Sequence, residues 1–273
     1  MSLFIKENQD LRYLNFAYTR NSTGTVGIFL KSEETLNNVR LYYKLSNYNP
    51  VDGIIGHECI NELIVDRFLN IMNIDHLAYD LIHADIMIDD QKYNTYLCVS
   101  KDFKEKGDSK IAFDIFYNNC KKENETIIDF CKRYGFLKQI YGILVVDYLI
   151  LNRDRHGGNI EVLYNKYDDT YRLSKIFDNG LSLLYSCHDE KQIDEFDVLD
   201  DKKVQCFIGG SSSLENLKII PEKDLPKLNK LKLEDKEIIF NDLDDILSKK
   251  HIDKIWELLF ERYKYYENIS SKR

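Results

Sequence analysis

Between Asp147 and Leu184 the chain reads DYLILNRDRHGGNIEVLYNKYDDTYRLSKIFDNGLSLL, and this window limits the fold more than any other. It follows an almost continuously apolar run from Phe136 to Leu151, long enough for about four turns of buried helix. Asn152 to Asn159 is then polar and charged with two glycines, the composition of a loop leaving a rigid helix. Ile160 to Tyr164 and Tyr171 to Phe177 are short β-prone runs around a turn at Asn165 to Thr170. The predicted hairpin delivers Asp178 beside the loop.

The residue types in that loop point to chemistry. Asp154 and Asn159 stand with four residues between them, and Asp178 opens Asp178-Asn179-Gly180. In phosphoryl transfer one carboxylate takes a hydroxyl proton, while an amide and a second carboxylate hold Mg²⁺, a hard cation that prefers oxygen, against the polyphosphate charge. Each fragment alone has an ordinary reading, an ion-pair cluster for Asp154-Arg155-His156 and a turn for Asn179-Gly180. Helix, loop, hairpin and second Asp in this order favour the catalytic one.

Composition agrees. A chain of 273 residues forms one large or two modest domains with a substantial core. The net charge of -8, from 38 basic and 46 acidic residues, offers no field for polynucleotides or anionic lipid, and no local basic patch stands out. The six cysteines are scattered, as expected of reduced thiols. MSLFIKENQD lacks a basic segment followed by an apolar run, and the longest apolar stretch is short and carries Asp147, so a cytoplasmic location without membrane or direct nucleic-acid contact is expected. His57-Glu58 fails as a zinc-protease helix because the second His position holds Asn61. His76, His83, His188 and His251 stand alone in the sequence, which favours structural or surface roles.

The N-terminal third supplies a candidate phosphate cradle. Arg12 to Thr19, Thr25 to Lys31 and Val39 to Leu45 are β-prone, with Asn21-Ser22-Thr23-Gly24 as a turn, and predict the start of a small antiparallel sheet. Gly24, with Gly27 nearby, is where backbone N–H groups would approach phosphate. Lys44 lies on the third run, where burial of its ammonium requires a negative partner. After Pro50-Val51-Asp52-Gly53, the stretch Gly56 to Ile71 is helical in period, with Ile60, Leu63, Ile64, Phe68 and Ile71 on one face. Glu58 and Glu62 lie one turn apart, and either is placed to hold Lys44. His76 to Ile88 and Lys92 to Ser100 predict two strands around Asp89-Asp90-Gln91. Val99 opens Val99-Ser100-Lys101-Asp102-Phe103, the predicted hinge and a candidate nucleotide contact. From Lys223 onward Ile238, Ile239, Leu243, Ile246, Ile252, Ile255, Leu258 and Leu259 predict amphipathic helices, and Ser211-Ser212-Ser213 after Gly209-Gly210 predicts a mobile loop.

With these residues together, the chain resembles the HipA-like family of bacterial serine/threonine kinases, from about Gly24 to the C-terminal helices. Asp147-Tyr148-Leu149-Ile150 before Asn152-Arg153-Asp154-Arg155-His156-Gly157-Gly158-Asn159 carries most of the likeness, followed by Tyr171-Arg172-Leu173 leading into Phe177-Asp178. The helix ending Leu69-Asn70-Ile71-Met72-Asn73-Ile74 matches the family's early helix and sets Glu62, not Glu58, at the lysine-pairing position. The resemblance implies an α+β, bilobal protein-kinase-like fold. Residues 1–100 would be a small antiparallel β lobe with one helix that cradles nucleotide, and 101–273 a larger, mainly helical catalytic lobe. It implies ATP and Mg²⁺ as cofactors and a protein Ser or Thr hydroxyl as acceptor. Lys44 would contact phosphates, Asp154 would be the base, and Asn159 with Asp178 would hold metal. Many relatives are toxins, which implies an antitoxin-like partner, and some autophosphorylate in the glycine-containing loop, where Ser22, Thr23 and Thr25 are the candidates here. Two departures stand out. Asp154-Arg155-His156 occupies the place of the eukaryotic His-Arg-Asp, and the extra N-terminal subdomain of the family is not recognisable. Phosphatidylinositol kinases share an Asp-Arg-His loop, so a lipid or small-molecule acceptor is the alternative, with a nucleotide-binding pseudokinase as the third reading.

Overall fold

The computed structural model describes residues 2–16 and 29–271. The first half of the chain builds a β-sheet lobe from β1 (Phe4–Asp10), β2 (Lys31–Leu36), β3 (Val39–Leu45), the short β4 (Tyr48–Asn49) and β5 (Gly53–Ile54), helix α1 (Glu58–Met72), β6 (Asp80–Ile88) and β7 (Gln91–Lys101). Its five-stranded sheet has the order β1-β6-β7-β3-β2. Tight turns at Asn37-Asn38 and Asp89-Asp90 join β2 to β3 and β6 to β7, all four residues left-handed, a conformation that Asn and Asp tolerate best among non-glycine residues.

Three expectations change here. The first strand is Phe4–Asp10 rather than the run from Arg12, because Leu11, Leu14 and Phe16 leave the sheet and bury beneath it. The run Thr25 to Lys31 contributes only Lys31 to β2, and its residues up to 28 lie outside the described ones. The sheet is mixed, since β1 pairs parallel with β6. That pairing needs a long crossover, and the segment through β2, β3 and α1 provides it.

Helix α1 is buried nearly all round, beyond its predicted apolar face; Leu63, Ile64, Val65, Phe68 and Leu69 are each 0% exposed. It ends on Asn73 at φ 57, a left-handed cap. Its apolar side chains join a core that runs through to the helices of the second half, while Leu14, Phe16, Tyr43, Ile86 and Leu97 form a second cluster.

The second half comprises β8 (Asp108–Ala112), α2 (Phe113–Cys120), α3 (Ile127–Arg133), α4 (Leu137–Leu149), β9 (Asp154–Arg155), β10 (Glu161–Asn165), β11 (Thr170–Leu173), α5 (Glu190–Asp194), β12 (Gln205–Cys206), α6 (Ser213–Leu217), α7 (Asp235–Ile239) and α8 (Lys249–Ser270). The expected buried helix is α4, and the expected hairpin is β10 with β11, to which β8 adds a third strand. The serine stretch is held rather than loose: Ser212 caps α6, and the hydroxyls of Ser212 and Ser213 both bond to Asp201. Ile238, expected on a packed stripe, is 42% exposed, whereas Ile239 beside it is fully buried. Arg262 of α8 is buried and donates to the carbonyls of Tyr148, Val198 and Asp200, fixing the end of α4. No helix among the described residues is long and apolar enough to cross a membrane.

A buried ion pair ties the β-sheet lobe together. Asp66 accepts from His76 Nε2 (3.1 Å), the Tyr79 N–H (3.0 Å), Asn70 Nδ2 (3.0 Å) and the Ser2 hydroxyl, while His76 Nδ1 lies 2.7 Å from the Ile74 carbonyl. Both ring nitrogens therefore act as donors, as in an imidazolium. Burial by itself lowers the His76 pKa, but the hydrogen bonds to Asp66 and Ile74 outweigh it and leave it raised. Stability from the pair is present in full below the unfolded His pKa of about 6.5 and is lost as pH rises through the folded value. In urea titrations from pH 6 upward, wild type is expected to lose stability relative to His76→Leu, whose cost of about 1–3 kcal/mol at pH 6 shrinks with alkalinity. A pH-independent difference would contradict the charged pair.

Candidate active site

The loop that follows α4 is shaped by one buried cation. Leu151 turns the chain at φ 52, Asn152 Nδ2 donates to Asp147 Oδ1 (2.9 Å), and the Asp154 N–H donates to Asn152 Oδ1 (3.2 Å). The Arg155 guanidinium, 1% exposed, then donates to the Asp147 carboxylate (2.8 to 3.1 Å), the Asn159 carbonyl (3.1 Å), the Phe177 carbonyl (2.7 Å) and Asn179 Oδ1 (2.7 Å). A planar fork of five donors suits this set, which no ammonium reproduces. Arg155 thus sets the spacing between Asn159 and the Asp178-Asn179-Gly180 turn. Gly157 is required nearby, because a Cβ there would meet Asp114 side-chain carbons at 2.4 and 2.6 Å.

Asn159 Nδ2 donates to the Asp154 carbonyl (2.8 Å), and among the described residues its Oδ1 has no partner. His156 Nδ1 accepts from the Gly158 N–H (3.0 Å), so its proton sits on Nε2, 3.8 Å from Asp154 Oδ2. Burial raises the Asp154 carboxyl pKa, and the charge of Asp178 adds to this against the pull of His156, Arg155 and Lys44.

Lys44 faces these groups from β3. Its ammonium lies 3.3 Å from Glu62 Oε1 and pairs closely with Asp178 Oδ1. Glu62, 0% exposed, also accepts the Asn179 N–H on both oxygens (3.0 and 3.1 Å), so it braces the lysine and the turn together. Glu58 instead accepts the Asn47 N–H at 3.1 Å, which decides between the two glutamates. Asp178 is left-handed at φ 56, a sparsely populated state for a non-glycine residue, held by the Tyr79 hydroxyl on its N–H (3.3 Å) and by the bonds to its neighbours. Burial would raise the Asp178 carboxyl pKa, but Lys44, with Lys31 and Arg155, holds it well below the usual carboxylate range. Asn61 Nδ2 fixes the outgoing chain through the Gly180 and Ser182 carbonyls.

Lys44, Asp154, Asn159 and Asp178 all line one cleft of about 1050 Å³. Val99 does not: it is buried inside β7, paired with Tyr43 on one side and Asp80 on the other, while Ser100 and Phe103 reach the cleft wall. Gly24 and the candidate acceptors Ser22, Thr23 and Thr25 lie outside the described residues. Sequence reasoning passed over Asp147, Arg155, Tyr79 and Asn61. Asp147 left a usable signal, since a lone carboxylate in an apolar helix must find a partner when buried.

Among the described residues no three His, Cys, Asp or Glu side chains gather as a metal cage. The Asp178 carboxylate and Asn159 Oδ1 do suit Mg²⁺, which is commonly held by one or two carboxylates with phosphate oxygens and water completing its shell.

No family model matches the chain, and no curated protein does. Among solved structures it is similar to the proinflammatory kinase CtkA of Helicobacter pylori, with a TM-score of 0.61, 15% identity and 97% of each chain covered. HipA of Shewanella oneidensis MR-1, solved with HipB and operator DNA of a toxin–antitoxin system, matches at a TM-score of 0.47 and 10% identity, over 92% of this chain and 66% of that one. At these identities the likeness is one of fold, and the fold is the mixed α+β one of the kinase CtkA.

Proposed function

We propose that the chain is an ATP- and Mg²⁺-dependent phosphotransferase, a HipA-like kinase that transfers the γ-phosphoryl group to a Ser or Thr hydroxyl of a protein, itself among the acceptors. In this reading residues 1–100 cradle the nucleotide and 101–273 carry the catalytic groups as a second lobe. The observation that supports it is the convergence of Lys44, braced by Glu62, with Asp178, Asn159 and Asp154 on one cleft. The same reading extends to an antitoxin-like protein partner, as the family resemblance implies.

Bound Mg²⁺·ATP would supply the transferable phosphoryl group and the charge that neutralises it. Asn159 Oδ1 and the Asp178 carboxylate are the oxygen donors that would hold the metal. Lys44 would trade its contact with Asp178 for phosphate oxygens and stay anchored through Glu62. Asp154 would take the proton of the attacking hydroxyl, with its own carboxyl oriented beside His156. Little covalent chemistry falls to the protein, so positioning and charge stabilisation dominate.

Incubation with γ-labelled ATP and Mg²⁺ is expected to label the protein or an added protein, and Asp178→Ala to abolish it. Asp154→Ala should lower the rate by about 10²–10⁴-fold, the usual contribution of a general base. Labelling that appears only when a lipid or small molecule is added would move the acceptor to that class, and no transfer with any acceptor would leave a nucleotide-binding module.

The pH profile carries a second expectation. Asp154 must be ionised to accept a proton, and its pKa is raised, so the acidic limb of kcat/KM should break above the ordinary Asp value of about 3.9. A limb that breaks at or below that value would count against Asp154 as the base.

A further inference from the structure

Three histidines far apart in the sequence meet outside the cleft. His57 caps the start of α1, His188 ends the stretch that leaves Asp178-Asn179-Gly180, and His251 lies in the first turn of α8. The His57 and His251 rings stand with centroids 4.8 Å apart. His188 is exposed, and its centroid is 6.3 Å from that of His57.

The polar atoms at this junction lack partners that a folded interior normally provides. Nε2 of His57 and Nε2 of His251 are both enclosed without a hydrogen bond. His57 is hydrogen-bonded to the Leu184 carbonyl, so its proton sits on Nδ1 and Nε2 keeps a bare lone pair. Four residues along, Asn61 gives its Nδ2 to the Gly180 and Ser182 carbonyls, which fixes its Oδ1 as an unmatched buried acceptor. The Ser182 hydroxyl is enclosed without a partner as well. Acceptors therefore accumulate where α1, the Gly180 to Leu184 segment and α8 come together. Burial first, and the neighbouring imidazoles after it, push the His57 pKa down to about 3 and the His251 pKa down to about 4, so both rings are neutral, the form that ligates metal.

We propose that this junction is a metal site separate from the cleft, in which His57 Nε2 and His251 Nε2 hold a divalent ion of the Zn²⁺ type and His188 turns inward as a third ligand. Imidazole nitrogen suits zinc, copper and nickel, whereas Mg²⁺ and Ca²⁺ prefer oxygen. Two imidazoles on one tetrahedral ion, at a Zn–N distance of about 2.0–2.1 Å, have their ring centroids about 5 Å apart, close to the spacing of His57 and His251. The Leu184 carbonyl on the far nitrogen of His57 is the outer bond that commonly orients a metal-binding histidine. As they stand the three side chains do not close into a cage, and the exposed His188 has only a side-chain rotation to make. An ion here would join three segments that meet only in the folded chain, so its binding adds to stability.

This reading does not depend on phosphoryl transfer. The full chain, stripped with a chelator, is titrated with Zn²⁺ alone and melted with and without it. One bound ion per chain and a melting midpoint raised by several degrees are expected. His251→Ala should weaken binding at least about tenfold, and Asp178→Ala should leave it unchanged. No bound ion and no rise in the wild type overturn the inference and leave the two nitrogens to ordered water. Binding that survives His251→Ala, or that falls in Asp178→Ala, overturns it too, because the ion then sits elsewhere. Where a variant does not fold, an anomalous-scattering map of wild-type crystals grown with Zn²⁺ decides: a peak in bonding reach of both Nε2 atoms supports the site, and a peak only elsewhere refutes it.

Discussion

The Arg155 guanidinium is surrounded by protein on every side, and its charge would be prohibitive there without Asp147 against it. That pair does more than neutralise. The remaining donors of the same planar group reach the backbone just past Asn159 and just before Asp178, so two segments far apart in sequence are held to one rigid body. Helix α4 supplies the carboxylate, and its own end is fixed from outside by Arg262. Through this chain of bonds the position of Asn159 and Asp178, the groups proposed to hold metal, becomes a property of the helical core.

The β-sheet lobe is joined to that body through Glu62 and Tyr79. Glu62 contacts a cation of the sheet and one backbone N–H of the neighbouring turn at once, since one carboxylate spans Lys44 and the Asn179 amide. Tyr79 brings its hydroxyl to the Asp178 amide while its own N–H sits on Asp66. A left-handed Asp178 is tolerable because each adjoining peptide group has a partner.

Legibility followed the range of the interactions. Asp154, Asn159 and Asp178 could be placed from local spacing, and Lys44 with either Glu58 or Glu62 from the periods of one strand and one helix. β1 could not: FIKENQD has no alternation, and it becomes a strand only by pairing with β6 and through the Asp80 carboxylate on the Leu3 N–H (2.7 Å). Arg155 looked like one charge in a polar loop because its partners lie on α4 and beyond β11. Val99, read as a nucleotide contact at the hinge, lies on β7 between Cys98 and Ser100, which do line the cleft, so the alternation of the strand turns its side chain the other way. The glutamate choice was open on period alone; the resemblance set Glu62, and the Lys44–Glu62 contact agrees, with Glu58 taken up by the Asn47 N–H.

The burial of α1 on every side has a consequence for control. Swinging this helix outward would uncover Leu63, Ile64, Val65, Phe68 and Leu69 and strip the Ile239 and Asn241 carbonyls from Arg67. At roughly 1.5–3 kcal/mol per side chain the exposure alone is on the order of 10 kcal/mol, comparable with the entire stability of an ordinary domain. A helix fixed this firmly makes a poor lever. A switch that worked by swinging this helix outward would have to offset that cost and break the Lys44–Glu62 contact as well.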